Sequence, residues 1–187
     1  MSDYSGAANL EVMSEAVNYN AFLLRLARTF AQDAKQILDF GAGIGTFALG
    51  MREAGLNVQC LEPDSKQAAS LVMSQFKVYL DIDETPCATF DYVYTFNVLE
   101  HIEDDEQILS KIYEKLKPGG RLLVYVPAFQ VLYSGMDRKV GHVRRYRKHE
   151  LIERIKRAGF TVQRAAYCDS LGFLASSPAI FTPLLLA

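Results

Sequence analysis

Three groups of residues in this chain have types and spacings suited to chemistry. The first is Asp39-Phe-Gly-Ala-Gly-Ile-Gly45, where Gly41, Gly43 and Gly45 fall at alternate positions. A run without Cβ atoms lets the backbone pass close under a ligand that other side chains would strike. Glu62, at the end of the next apolar run, is its complement. A carboxylate there can accept hydrogen bonds from both hydroxyls of a ribose. The second group is Glu100-His101. Imidazole titrates near neutrality, so His101 can take a proton from a nucleophile, with Glu100 beside it. The alternative is a histidine that only caps or packs under its loop. The third group is Asp137-Arg-Lys-Val-Gly-His-Val-Arg-Arg-Tyr146. Arg144 and Arg145 could clamp a carboxylate or phosphate in bidentate fashion, while His142 and Tyr146 touch an acceptor. The alternative is a solvated basic face.

These groups need elements to hold them, and the apolar pattern supplies a candidate set. Ala16, Phe22, Leu23, Leu26, Ala27 and Phe30 recur at helical spacing, which predicts a helix from about Met13 to Gln32. Short apolar runs then alternate with helical patterns: strands at Gln36–Phe40, Asn57–Leu61, Val78–Leu80, Phe90–Phe96, Arg121–Val126 and Phe160–Tyr167. The intervening helices run to Ala54, over Ser65–Phe76, from a cap at Asp104 to Leu116, and from Lys148 to Ala158. Lys117-Pro-Gly-Gly120 reads as a turn. Strand–helix alternation implies right-handed crossovers and a mostly parallel, doubly wound α/β sheet with helices on both faces. Ligands of such sheets bind beyond the carboxyl ends of the strands, just after Phe40, Leu61, Leu80, Phe96 and Val126. All three groups lie there. The connection after the fifth strand, roughly 20 residues long, is of a length that is usually functional.

Composition removes several function classes. Half of the 187 residues are apolar and 22% are charged, as in an ordinary folded domain. Twenty basic against 22 acidic residues give a net charge of −2, which argues against a nucleic-acid partner. Cys60, Cys87 and Cys168 are widely spaced and suit a reducing, cytoplasmic setting rather than a disulfide framework or structural zinc. The N-terminus lacks the features of a signal peptide. The dinucleotide fingerprint would put its third glycine where Thr46 stands, and no Tyr-x-x-x-Lys follows, which disfavours a nicotinamide-dependent oxidoreductase.

The glycine loop, Glu62, DYVYTFNVLEH (Asp91–His101) and LKPGGRLLVYVP (Leu116–Pro127) together resemble the class I S-adenosylmethionine-dependent methyltransferases of the small-molecule, methyltransferase-11/23-like type. The resemblance spans nearly the whole chain. It implies a Rossmann-like fold, S-adenosylmethionine as cofactor with S-adenosylhomocysteine as product, and methylation of an oxygen or nitrogen of a small-molecule acceptor, anionic or lipid-linked. Gly41, Ala42, Gly43 and Gly45 would line the cofactor, and Asp39 would brace the loop or reach the amino group. Glu62, with Pro63 and Asp64 beside it, would hold the ribose. Asp81 and Ile82 would meet the adenine. Asn97 would approach the methionine end, and Tyr19 would close it. His101, Glu100, His142 and Tyr146 are the catalytic candidates, with Arg144 and Arg145 on the substrate. NVLEH is similar to a stretch of quinone O-methyltransferases in which acidic residues and a histidine hold a divalent ion. Here Asn97 stands where those enzymes carry an acid, so no metal is expected. The Asp137–Tyr146 stretch resembles a bacterial group of methyltransferases linked with envelope or polyketide-like pathways. A cofactor-binding relative without chemistry is the alternative function.

The family sheet ends in a seventh, antiparallel strand, and the run from Leu171 to Ala187, broken by Pro178 and Pro183, shows no alternation. The expectation is a single domain over 1–187, truncated so that this strand is missing. The sheet would then be left open and prone to self-association. A membrane-touching tail is the alternative; the run is too short for a span.

Overall fold

The computed structural model describes residues 17–168 and 183–186. Among the described residues, thirteen helices and strands carry the fold. They are α1 (Val17–Ala31), β1 (Ile37–Phe40), α2 (Thr46–Glu53), β2 (Val58–Leu61), α3 (Ser65–Met73), β3 (Val78–Tyr79), β4 (Phe90–Phe96), α4 (Asp105–Lys115), β5 (Leu116–Pro127), the short α5 (Gly135–Lys139), α6 (Lys148–Arg157), β6 (Ala165–Tyr167) and β7 (Pro183–Leu186). The seven strands form one sheet in the order β3-β2-β1-β4-β5-β7-β6. The first five are parallel to one another, and β7 runs antiparallel to both neighbours.

The strands read as apolar runs because helices cover both faces of the sheet. Side chains alternate across it. Ile37, Tyr92, Tyr94, Leu123 and Tyr125 pack with Leu23 and Ala27 of α1 and Met51 of α2. Their neighbours Leu38 and Val93 pack on the opposite side with Ile112 of α4. Val124 and Val126 meet Leu151 and Ile155 of α6 there. Asp104 caps α4 as expected, its Oδ1 accepting the Gln107 amide at 3.1 Å.

Three expectations need correction. The seventh strand is present: β7 pairs Leu184, Leu185 and Leu186 with Val126, Tyr125 and Val124 on one side and with Tyr167, Ala166 and Ala165 on the other. A strand paired on both edges need not show polar alternation, and a proline is tolerated as its first residue. The open edge beside β5, on which self-association rested, is therefore filled. Lys117–Gly120 is no separate turn but lies within β5, which begins at Leu116 and shifts register opposite Phe90 and Tyr92. The sixth strand covers only Ala165–Tyr167 of the expected run. The helix expected before Val17 and the segment 171–182 fall outside the described residues.

Strand order reverses at β1, which has β2 on one side and β4 on the other. Chains leaving β1 and β4 diverge to opposite faces there and open a crevice. The glycine loop follows β1, and Asn97 to His101 follow β4.

Candidate active site

The glycine loop adopts backbone that only glycine takes readily: φ is +81° at Gly41, +56° at Gly43 and +87° at Gly45. A Cβ on Gly41 would overlap the Val98 methyls, and one on Gly45 would lie 2.6 Å from Leu71 Cδ2. Glu62 organises the loop. Its buried carboxylate accepts the Gly43 amide at 2.7 Å and the Asp64 amide at 3.0 Å. Each oxygen keeps a lone pair for a further donor.

Asp39 is fully inside, accepting the Tyr94 hydroxyl at 2.8 Å and an amide of α2 at Ala48. Burial, aided by the Glu62 charge, raises its pKa to about 7 against the pull of those donors. Of its two expected roles, bracing is the one its contacts serve. Beyond β3, the exposed Asp81 accepts the Asp83 amide at 2.8 Å and caps a single turn at Ile82–Glu84. Ile82 is buried against Phe40, Leu61 and Tyr79, while Pro63 is exposed beside Glu62.

Asn97 closes the other end of the crevice. It is one of few non-glycine residues at positive φ (+55°), and its Nδ2 donates to the Tyr19 hydroxyl at 2.9 Å. The pair expected from α1 and the β4 loop is thus brought together. Tyr19 also stacks edge-on to Tyr125, with centroids 6.1 Å apart, and burial raises its pKa. The Asn97 Oδ1 is buried and accepts nothing among the described residues. An orphaned acceptor at the crevice suits the ammonium of an amino-acid ligand.

The turn Leu99–His101 and the loop after β5 meet at a histidine pair. The rings of His101 and His142 lie nearly perpendicular with centroids 4.7 Å apart. His101 Nδ1 is 3.2 Å from the Gly141 carbonyl. His142 Nδ1 is 2.9 Å from Asp137 Oδ1, and its Nε2 is 3.9 Å from Glu100 Oε1. Burial lowers the pKa of both imidazoles, and His142 lowers that of His101 further. Glu100 is wholly buried, and neither carboxylate oxygen has a hydrogen-bond partner among the described residues. Burial, with the Asp137 charge nearby, raises it to about 8.

The rest of the basic stretch is built inward. Arg145 is buried and forks onto Asp137, Nε to Oδ1 at 2.7 Å and one terminal nitrogen to Oδ2 at 2.9 Å. Burial works against the charged Asp137, but the hydrogen bonds from Arg145 and His142 outweigh it and hold Asp137 well below the usual carboxylate range. Arg144 reaches the Glu103 carbonyl and Asp105, both at 2.7 Å. Tyr146 is buried, its hydroxyl 2.7 Å from Asp105 Oδ2 and 3.0 Å from the Leu99 carbonyl. The expected anion clamp and acceptor contact are therefore corrected: acidic partners within the chain already occupy these groups.

Sequence reading assigned no role to Asp137, which orients His142. Its signal was local and available only in part. Ser134 and Asp137 form a capping box on α5, the Asp137 Oδ2 accepting the Ser134 amide at 2.8 Å.

The methyltransferase domain family matches residues 13–165. A probable S-adenosylmethionine-dependent methyltransferase of Mycolicibacterium smegmatis is 30% identical over 155 residues, covering 79% of this chain and 58% of that protein. A mitochondrial ubiquinone biosynthesis O-methyltransferase of Schizosaccharomyces pombe is 33% identical over 102 residues, covering 48% and 37%. The chain thus spans little more than half, or less, of these relatives' lengths. Among solved structures, the 1,6-didemethyltoxoflavin-N1-methyltransferase of Burkholderia thailandensis, with bound 1,6-didemethyltoxoflavin and S-adenosylhomocysteine, superposes with a TM-score of 0.68. It is 18% identical and covers 97% of this chain and 85% of its own, a likeness of fold.

Proposed function

The chain belongs to the S-adenosylmethionine-dependent methyltransferases, and from that premise we propose that it methylates an oxygen or nitrogen of a small-molecule acceptor. The observation that carries this reading is the pair of histidine rings, centroids 4.7 Å apart, that His101, four residues after Asn97, forms with His142 of the loop after β5.

The residues fit the cofactor. The loop Gly41–Gly45 gives close backbone approach, Glu62 keeps acceptor capacity for a ribose, and the orphaned Asn97 Oδ1 would accept the ammonium. Asp81 and Ile82 would border the adenine, with Pro63 beside the ribose-holding Glu62, and Tyr19 would cover the methionine end. Bound S-adenosylmethionine supplies an electrophilic methyl whose carbon–sulfur bond breaks toward sulfur, leaving S-adenosylhomocysteine. The protein's work is to align the nucleophile about 3–3.5 Å from that carbon, exclude water and remove one proton. His101, exposed at the mouth, takes the proton at the ring nitrogen not engaged by the Gly141 carbonyl. His142, held by Asp137, fixes the orientation of its neighbour, and Glu100 lies behind both. With Arg144 and Arg145 committed elsewhere, selectivity for an anionic acceptor does not come from them.

The ubiquinone biosynthesis O-methyltransferase among the similar proteins supports an oxygen acceptor. No helix among the described residues is long and apolar enough to cross a membrane. The free thiols of Cys60 and Cys87 support a reducing, cytoplasmic setting.

The test is a thermal-shift comparison of S-adenosylhomocysteine, S-adenosylmethionine and NAD. At ~100 times its dissociation constant a ligand stabilises by about 2.7 kcal/mol, several degrees for a domain of this size. A shift with the first two alone, abolished in Glu62→Ala, is expected; a shift with NAD instead would overturn the cofactor assignment. Release of S-adenosylhomocysteine with phenolic, carboxylate and amine acceptors then reads the acceptor. Turnover that is indifferent to His101→Ala would remove the proposed base.

A further inference from the structure

We propose that Cys87 and Lys115 form a redox-active pair, which hydrogen peroxide converts into a reversible sulfur–nitrogen bond between the two side chains. Cys87 lies just ahead of β4 and Lys115 just ahead of β5, two parallel strands. The pair therefore sits at the amino ends of the strands, opposite the crevice. Cys87 is exposed and its thiol is free. Lys115, the last residue of α4, is only 5% exposed, and its Nζ lies 3.6 Å from Cys87 Sγ.

Two independent features single out this contact. The first is the buried lysine. An ammonium taken out of water is ordinarily paired with a carboxylate. Among the described residues Lys115 has no ion-pair partner, and its one side-chain hydrogen bond goes to the sulfur. Reactive thiols occupy such settings, partly exposed and beside a cation that favours the nucleophilic thiolate. The second feature is the backbone that presents the sulfur. The Ala88 and Thr89 amides donate to the Glu114 and Lys115 carbonyls, both at 2.9 Å, which pins the segment to the end of α4. Ala88 holds a positive φ of +47°, a strained state that the surrounding bonds maintain. The sulfur is thus fixed beside the amine while remaining open to a small oxidant.

The reaction balances with peroxide as the sole oxidant. The Cys87 thiolate attacks one peroxide oxygen, the oxygen–oxygen bond breaks, and the departing hydroxide takes a proton from the Lys115 ammonium and leaves as water. Sulfur is oxidised to the sulfenic acid and peroxide is reduced. Lys115, now a neutral amine, attacks the sulfenic sulfur. The sulfur–oxygen bond breaks, and the hydroxyl departs with an amine proton as a second water. The flexible four-carbon stem of lysine closes the distance. The linked chain is lighter than the reduced chain by one hydrogen from sulfur and one from nitrogen. A thiol reductant attacking the sulfur restores both side chains.

The test uses the full chain, reduced and then freed of reductant, treated with hydrogen peroxide at pH 7 and read by intact mass and tryptic peptide mapping. The expected product has lost those hydrogens, carries the Cys87 peptide joined to the Lys115 peptide, and returns to the reduced mass with dithiothreitol. It should also form in Cys60→Ala and in Cys168→Ala, which removes an internal disulfide as the source of the mass loss. Lys115→Met should abolish the link. So should Lys115→Arg, which keeps the positive charge but offers no neutral amine. Melting followed by circular dichroism checks that each variant is folded, and the map of the wild-type chain decides the matter without them. Oxidation of Cys87 to the sulfinic acid with Lys115 still cut by trypsin would overturn the pair. A Cys87–Cys87 dimer as the sole product, or a link that persists in Lys115→Arg, would do the same. None of these outcomes touches the methyltransferase reading, because the pair lies away from the crevice.

Discussion

Gly41 and Asp39 carry opposite kinds of constraint within three residues of each other. Gly41 needs positive φ and the space where a Cβ would overlap Val98. Gly41→Ala should lower stability by about 1–2 kcal/mol for the left-handed backbone alone, and should weaken S-adenosylhomocysteine binding as well. Because the clash is with the tip of one side chain, Gly41→Ala/Val98→Ala should recover part of the stability in a urea titration. Asp39 is constrained by charge. Its folded pKa, about 7, lies above the ordinary carboxylate value of 3.8. Its stabilising share is therefore complete below about pH 4 and is lost as pH rises through about 7. Over that window wild type should lose stability relative to Asp39→Asn, with a slope on the order of 1.4 kcal/mol per pH unit. Parallel pH–stability curves for the two proteins would show that Asp39 does not hold this proton. Residue types alone pointed to both positions; the direction of the Asp39 shift did not follow from them, since it depends on burial under α2 and on Glu62.

The connection after β5 acts as an element, although it contains only one short turn and α5. Its pieces are sewn to the β4 side by side chains: Tyr146 to Leu99 and Asp105, Arg144 to Glu103 and Asp105, and the Val143 amide to the Glu100 carbonyl at 2.7 Å. These bonds bring His142 against His101. Tyr146→Phe removes a hydroxyl with two buried partners and should cost about 1–3 kcal/mol in chemical denaturation. It should leave KM for S-adenosylmethionine within about twofold, since the hydroxyl faces Asp105 and not the crevice. A selective fall in kcat with unchanged stability would restore Tyr146 to the catalytic group. The spacing of arginines, histidine and tyrosine marked this stretch as important and misplaced the reason. Arg144, Arg145 and Tyr146 look outward-facing in sequence because their acidic partners, Asp105 and Asp137, are separated from them along the chain or hidden in a cap.

The sheet closes as a whole through β7, inserted antiparallel between β5 and β6. Without it the two edges would face each other across a gap, with unpaired amides and carbonyls. Leu185→Pro removes an amide donor from the middle of this strand and should unpair it from both neighbours. The expected outcome is a lower melting temperature with higher-order species on size-exclusion chromatography. A variant that melts and elutes like wild type would show that β7 is dispensable to the sheet. The same closure holds β5 in place, and β5 carries the loop that positions His142.

The sequence by itself determined the doubly wound sheet, the order of its helices and strands, the glycine loop and Glu62 at the switch point, and the Asn97–His101 stretch after β4. These signals are local: hydrophobic period, glycine at positive φ, and a carboxylate at a strand end all act over a few residues. Only the tertiary structure decided that β7 completes the sheet, that Asp137 orients His142, that Arg144, Arg145 and Tyr146 serve the scaffold, and that Glu100 lies buried, without a hydrogen-bond partner among the described residues, near His142. Each of these depends on which distant residue comes within about 3–4 Å, and hydrogen bonding and desolvation at that range leave no periodicity in the chain to read.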